Sequence, residues 1–161
     1  MKKNGIFRLS IMKDEIQLKH IIPVQIRFSD VDQFGHMNNS VYFSLYDLAK
    51  TSYLTDVFGP QDWNRFAMVV ANINADFLAP VFFTDNLVIE TACVHLGNKS
   101  FTLLQRAVDK KTGNIKCTCR TIMVAFDIES QSPIPIPQDY KDAISKFEGR
   151  SLEDMAKPYN P

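Results

Sequence analysis

The sequence has no net charge: 18 Lys and Arg stand against 18 Asp and Glu. A general nucleic-acid binder carries a basic footprint, so that class of partner is not expected. No apolar run approaches the ~18 residues that suggest a membrane-crossing helix. Met1–Ser10 has two lysines but no apolar stretch behind them, which does not describe a secretory leader. Cysteine is scarce. Three cannot all pair internally, and Cys117 and Cys119 sit two apart on one strand face. The C-x₂-C spacing and second ligand pair of a zinc site are missing, so no metal is expected. The cysteines read as small buried hydrophobes in a reducing compartment, and the expected location is cytoplasmic. Internal repeats and low-complexity segments are also lacking.

What is present suits one domain over residues 1–161, with a core over about 19–137, a short helix over about 138–148, an N-terminal arm and a C-terminal tail. Strands are marked by a period of two. Phe66–Phe77 sets Ala67, Val69, Ala71, Ile73, Ala75 and Phe77 against Met68, Val70, Asn72, Asn74 and Asp76. Leu87–Leu96, Ser100–Asp109 and Ile115–Ile128 follow, the last long enough to curve. A first strand is predicted from Ile21 to Phe28, and Ile6–Leu9 fits a short strand or a loose arm. Thr84-Asp85-Asn86, Gly97-Asn98 and Lys110–Asn114 read as turns joining consecutive antiparallel strands. Pro133, Pro135 and Pro137 end the sheet, because proline donates nothing to a ladder. Gln138–Phe147 reads as an amphipathic helix and Ser151–Pro161 as a weakly ordered tail with up to one helical turn.

Between the first two strands a helix is predicted from the Asn38-Asn39 pair to about Leu54. Ser40, Ser44, Asp47, Thr51 and Thr55 form one narrow polar stripe, and most of the remaining circumference is apolar or aromatic. A helix apolar nearly all round is buried, which predicts sheet wrapped around most of it. The fold class is therefore α+β, a curved antiparallel sheet of about five strands around one long central helix. Open sheet edges invite a second copy, so a homodimer or homotetramer is expected.

The loop ahead of the helix carries the chemistry. It holds two carboxylates, Asp30 and Asp32, then Gly35-His36, then Asn38 and Asn39, both good N-cap residues. N–H groups of a first helical turn lack intrahelical partners and carry partial positive charge. They can hold an oxyanion while a nearby Asp acts as base or nucleophile. Asp32 can equally cap the loop or helix start. Asp30 reads as structural, and a Mg²⁺ site on the pair is disfavoured because no third carboxylate lies near. His36 can shuttle a proton, touch substrate or orient the loop. Gly35 allows a tight turn, and Tyr42 and Tyr46 wall either the core or an acyl pocket. Lys99, Arg106, Lys110, Lys111 and Arg120 can meet phosphates or stand as scattered surface charge. Asn72, Asn74 and Asp76 form a polar strand face.

Arg27-Phe28-x-Asp30-x-Asp32-x-x-Gly35-His36-Met37-Asn38-Asn39-x-x-Tyr42 resembles the signature of hotdog-fold acyl-CoA thioesterases in the 4-hydroxybenzoyl-CoA thioesterase-like superfamily. Asp76-Phe77-Leu78-Ala79-Pro80, Asp85-Asn86-Leu87, Leu96–Phe101 and Val124–Asp127 fit the same pattern, so the resemblance covers about Lys19–Pro137. It implies dimers with a continuous sheet around two helices and active sites at the subunit interface. It implies Asp32 as catalytic carboxylate, a polarising backbone N–H near Asn38 or Asn39, and His36 beside them. Gly35, Asn38, Tyr42 and Tyr46 fall on the substrate side. No cofactor is implied beyond the CoA of an acyl-CoA substrate; carrier-protein thioesters also occur in the superfamily. One branch places its carboxylate on the helix as Glu, where this chain offers only Asp47; another lacks the His. Two rivals remain. An enoyl-thioester hydratase or dehydratase would use Asp32 and His36 as acid and base, but a small apolar segment should then follow where Asn38-Asn39 stand. A non-catalytic acyl-thioester binder should lack a competent carboxylate or carry a helix-turn-helix, and neither is the case.

Overall fold

The computed structural model describes residues 16–60 and 67–160. The segment Ile6–Leu9, and Phe66 at the head of its predicted strand, lie outside these. In chain order come β1 (His20–Pro23), a 3-10 turn (Phe28–Asp30), α1 (Asn39–Phe58), β2 (Ala67–Phe77), β3 (Leu87–Leu96), β4 (Ser100–Asp109), β5 (Ile115–Asp127), the two-residue β6 (Ser132–Pro133), α2 (Gln138–Glu148) and α3 (Leu152–Met155).

The strands form one antiparallel sheet of order β1-β3-β4-β5-β2, with β6 beside β5. Alternation becomes register in the β3-β4-β5 meander, where Leu87 faces Asp109 and Ser100 faces Val124. β2 does not extend this run of hairpins, contrary to the expectation of four strands joined by short turns. The free edge of β3 is taken by β1, with His20 opposite Thr91. β2 therefore pairs across the sheet with β5, Phe77 opposite Cys117. Register shifts at Val70/Asn72, Cys93/His95 and Ala107/Val108 add local twist and let the sheet curve.

The first strand is shorter than the predicted Ile21–Phe28. It ends at Pro23, and Asp30 folds the chain back by accepting the backbone N–H of Arg27 at 2.8 Å. The helix is longer than predicted, running to Phe58 and stopping at Gly59 with φ +73°, a left-handed conformation that glycine adopts without strain. Its burial also corrects the expectation of a wrapped helix. Tyr42, Tyr46, Ala49 and Tyr53 are buried on one face, whereas Phe43 and Leu48 are 39% and 56% exposed. In one chain the sheet covers a single stripe of α1.

Two groups of buried side chains fill the space between helix and sheet. Toward the site, Tyr42, Tyr46 and Ala49 meet Val81, Leu87, Ile89, Cys117 and Cys119. Tyr46 donates its hydroxyl to the Cys117 carbonyl at 3.1 Å, and Gln105 Nε2 donates to the Tyr46 carbonyl at 3.0 Å. At the other end, Tyr53 meets Phe101, Leu103 and Met123, closed over by Ile144 of α2 and Met155 of α3. Full burial of Leu-, Phe- or Met-sized side chains contributes about 1.5–3 kcal/mol each. The tail is thus held to the core through its one helical turn, rather than weakly ordered. Glu148, also buried, ends α2 and accepts the Tyr53 hydroxyl at 2.5 Å and the Cys93 N–H at 2.7 Å on the same oxygen. Cys93, Cys117 and Cys119 are free and buried. No helix among the described residues is long and apolar enough to cross a membrane.

Candidate active site

The loop entering α1 is built on Asp30. Its carboxylate takes the Arg27 N–H, and Arg27 Nη2 lies 3.0 Å from Oδ1. Its backbone carbonyl takes the Asn38 N–H at 2.8 Å. Burial pushes the Asp30 pKa up, but the Arg27 hydrogen bonds and charge outweigh it and hold the group below the usual carboxylate range. The buried carboxylate thus holds Arg27 at the head of the loop, while the backbone carbonyl of the same residue ties the loop to the head of the helix.

Asp32 begins a tight turn. Its N–H donates to the His36 carbonyl at 2.9 Å, and the Gly35 N–H donates to its carbonyl at 3.0 Å. Gly35 has φ +77°, where a Cβ would be strained. Asp32 Oδ1 accepts the Phe34 N–H at 2.8 Å, while Oδ2 takes no hydrogen bond from the described residues. The exposed carboxylate is thus aimed by one oxygen and open at the other.

Asn38 caps α1, accepting the Ser40 N–H at 2.9 Å and the Ser40 hydroxyl at 2.8 Å on Oδ1. The Asn38 carbonyl takes the Val41 N–H at 3.0 Å. The Asn39 N–H remains. Among the described residues it meets no acceptor, at the positive end of a 20-residue helix.

Asn39 borders an open depression of about 300 Å³, shared with His36, Met37, Tyr42, Phe77, Leu78, Ala79 and Pro80. The fold therefore brings His36, Asn39 and Tyr42 together on one concavity. Gly35 and Asn38 shape its rim without lining it, and Asp32 sits on the adjoining turn. Tyr46 does not line it; it stacks behind Tyr42 with ring centres 6.3 Å apart and spends its hydroxyl on Cys117. Tyr42 is edge-on to Phe77 at 5.3 Å. Burial first, then the neighbouring Cys117 and Asp85, push its pKa well above the ordinary value, so its hydroxyl stays protonated.

The sequence reading places Phe77–Pro80 in the family pattern but not in the site, where it forms a wall of the depression. It passes over the segment behind that wall. The Met37 N–H donates to the Val81 carbonyl at 2.8 Å, His36 bridges to Phe82, and their rings meet edge-on at 5.2 Å. The signals available were the Thr84–Asn86 turn and the Asp85-Asn86-Leu87 stretch of the family pattern, neither of which hints at its neighbours. A second, larger concavity of about 710 Å³ lies at the far end, between residues 16–19 and the C-terminal tail. Among the described residues, no three His, Cys, Asp or Glu side chains gather as a metal would need.

The profile of the thioesterase-like superfamily matches residues 26–144. Uncharacterized protein YsmA of Bacillus subtilis is 32% identical over 121 residues, 75% of this chain and 82% of its own. Long-chain acyl-CoA thioesterase FadM of Escherichia coli is 23% identical over 126 residues, 77% of this chain and 96% of its own. A thioesterase of Thermus thermophilus, solved with coenzyme A and zinc, superposes with a TM-score of 0.72 at 27% identity, covering 82% of this chain and 96% of its own. The α+β hotdog arrangement expected from the sequence is the fold of this chain.

Proposed function

The chain belongs to the thioesterase-like superfamily, and on that premise we propose that it hydrolyses an acyl-CoA thioester to free acid and CoA, with Asp32 as the catalytic carboxylate. What supports this is the open N–H of Asn39 at the head of α1, a residue that lines a depression with His36, together with the carboxylate of Asp32 on the preceding turn, which has one free oxygen. The thioester carbonyl oxygen takes the Asn39 N–H, which stabilises the negative charge that develops there. Asp32 either draws a proton from water as its oxygen bonds to the carbonyl carbon, or attacks that carbon itself to give a mixed anhydride that water then opens. In both routes the C–S bond breaks and the thiolate leaves with little need of an acid. His36 orients the turn through its carbonyl and presents its ring to the substrate. The reading calls for no metal or cofactor; CoA enters as part of the substrate.

The site is completed by a second copy. β2 is the sheet's outer strand, and no described strand pairs with its free edge. Val69, Val70, Ile73 and Phe77 along it are 37–43% exposed, and Phe43 and Leu48 of α1 are open as well. An apolar open edge beside an uncovered helix face suits strand-to-strand pairing between copies, and Phe77 carries that edge into the wall of the depression.

Thiol release from a panel of acyl-CoA esters tests the hydrolysis. Asn in place of Asp32 keeps the Phe34 N–H acceptor, so the turn stays and the chemistry goes. Asp32→Asn is expected to lower kcat by about 10²–10⁴-fold, the range of a general base. Turnover within tenfold of wild type would remove Asp32 from the mechanism.

A further inference from the structure

One residue on β5 holds the whole segment that faces the loop. The Lys116 carbonyl accepts the Leu78 N–H at 2.8 Å and the Ala79 N–H at 3.0 Å. Its ammonium reaches the other end. Nζ donates to the Pro80 carbonyl at 3.0 Å, stands 3.0 Å from Asp85 Oδ2, and lies 5.9 Å from the centre of the Phe82 ring. Asp85 closes the turn, because Oδ2 accepts the Phe82 N–H at 3.1 Å while the Asp85 N–H donates to the Phe82 carbonyl at 3.0 Å. The two side chains are only 10% and 15% exposed. An ion pair this enclosed is retained at a cost in desolvation, so fixing a geometry is a reasonable use for it.

The geometry fixed is that of Val81 and Phe82. Val81 holds Met37 through its carbonyl, and Phe82 holds His36 through a strand bridge and its ring. Met37 and His36 immediately precede the cap and the open N–H of α1. We infer that Lys116 and Asp85 are positioning residues that set His36 and the head of α1 against the depression through Phe82. Neither touches the reacting atoms, and both act by keeping residues 78–85 pressed on the loop. The inference rests on the thioesterase reading for its kinetic consequence, though not for its geometry.

Two variants and two readouts test it. Lys116→Met removes the ammonium and keeps the length of the side chain. Phe82→Leu breaks the last link and leaves the ion pair in place; since Phe82 is half exposed, that variant is expected to fold even where the first does not. Each is expected to lower kcat by roughly 10–100-fold, the penalty for misplacing a group by about an ångström, while KM changes less than kcat because neither replaced side chain lines the depression. In NMR spectra the His36 imidazole protons should move in Lys116→Met, where the Phe82 ring is still present and its field at His36 changes only if the segment shifts. The methyl signals of Ile144 and Met155, at the far end of the core, should stay put. Wild-type kcat in folded Phe82→Leu, or unmoved imidazole signals in Lys116→Met, overturns the inference. Should the wild-type protein release no thiol from any ester, the hydrolase reading fails, and the imidazole shifts alone decide the positioning.

Discussion

Replacing Tyr53 with Phe deletes one hydroxyl and leaves the ring packing in place. The Tyr53 ring is fully buried and meets Phe147 and His20 edge-on at 5.4 and 5.6 Å, contacts that Phe preserves. The hydroxyl lost is the one that donates to Glu148 Oε1. The Cys93 N–H is the other donor on that oxygen, so the carboxylate keeps one partner of two. A hydrogen bond to a charged group contributes about 1.5–3 kcal/mol and a neutral one about 0.5–1.5 kcal/mol. Which applies depends on the proton at Glu148. Burial raises its pKa, while the Tyr53 and Cys93 hydrogen bonds, with Arg150 and Lys19, pull it down without cancelling the rise. A carboxyl with a folded pKa above its unfolded value binds more proton folded than unfolded. Stability then falls as pH climbs from the unfolded pKa to the folded one, and levels off beyond. Losing the Tyr53 donor moves the folded pKa higher, so the variant keeps losing stability where the wild type has levelled. The gap between them should widen from about 0.5–1.5 kcal/mol in acid to about 1.5–3 kcal/mol at pH 8. For a chain of this size that upper gap is about 3–12 °C in Tm. Urea titrations followed by circular dichroism between pH 4.5 and 8 measure it. A gap constant across that range, or below about 0.5 kcal/mol throughout, refutes the role given to Glu148.

Two further outcomes are expected. His20 is buried beside Ser52 and Asp56 at 3.2 Å each; burial lowers its pKa more than Asp56 raises it. Its stabilising contribution is therefore present above the unfolded value near 6.5 and lost as pH falls below it, and His20→Gln should flatten that part of the Tm profile between pH 7.5 and 5; an unchanged profile would assign the slope elsewhere. Ile73→Lys puts a charge on the open edge strand and should reduce the assembly seen by light scattering from a multiple of 18.4 kDa to a single chain, whereas a monomeric wild type would remove the second copy from the site.

Much of the sheet was legible because the signal for it is local. Leu87–Leu96 is an apolar run and Ser100–Asp109 an alternating one, each set off by turn residues, and their bounds are those of β3 and β4. The first strand was overdrawn because Val24–Phe28 looks like a strand, while the competing bonds of Asp30 to Arg27 depend on how that turn folds. The helix was misjudged for a different reason. Phe43 and Leu48 demand cover, and a sequence cannot tell cover by its own sheet from cover by another chain. Asp32, His36 and Asn39 stood out because they crowd one loop. Lys116 did not, since in β5 it shares a face with Thr118 and Arg120 and reads as one more outward polar residue. Its partners, Pro80, Phe82 and Asp85, are more than thirty positions away and are brought to it only by the pairing of β2 with β5.

That pairing also orders events during synthesis. β2 emerges from the ribosome before β3 and β4, and its partner in the sheet, β5, is the last long strand to be made. At translation rates of about 5–20 residues per second, the edge carrying Val69, Val70 and Ile73 waits several seconds with neither side of its backbone paired. β3, β4 and β5 can close as neighbouring hairpins in the meantime, giving β2 a finished template to join. The strand most exposed in the folded chain is thus also the one most in need of protection while the chain is being born.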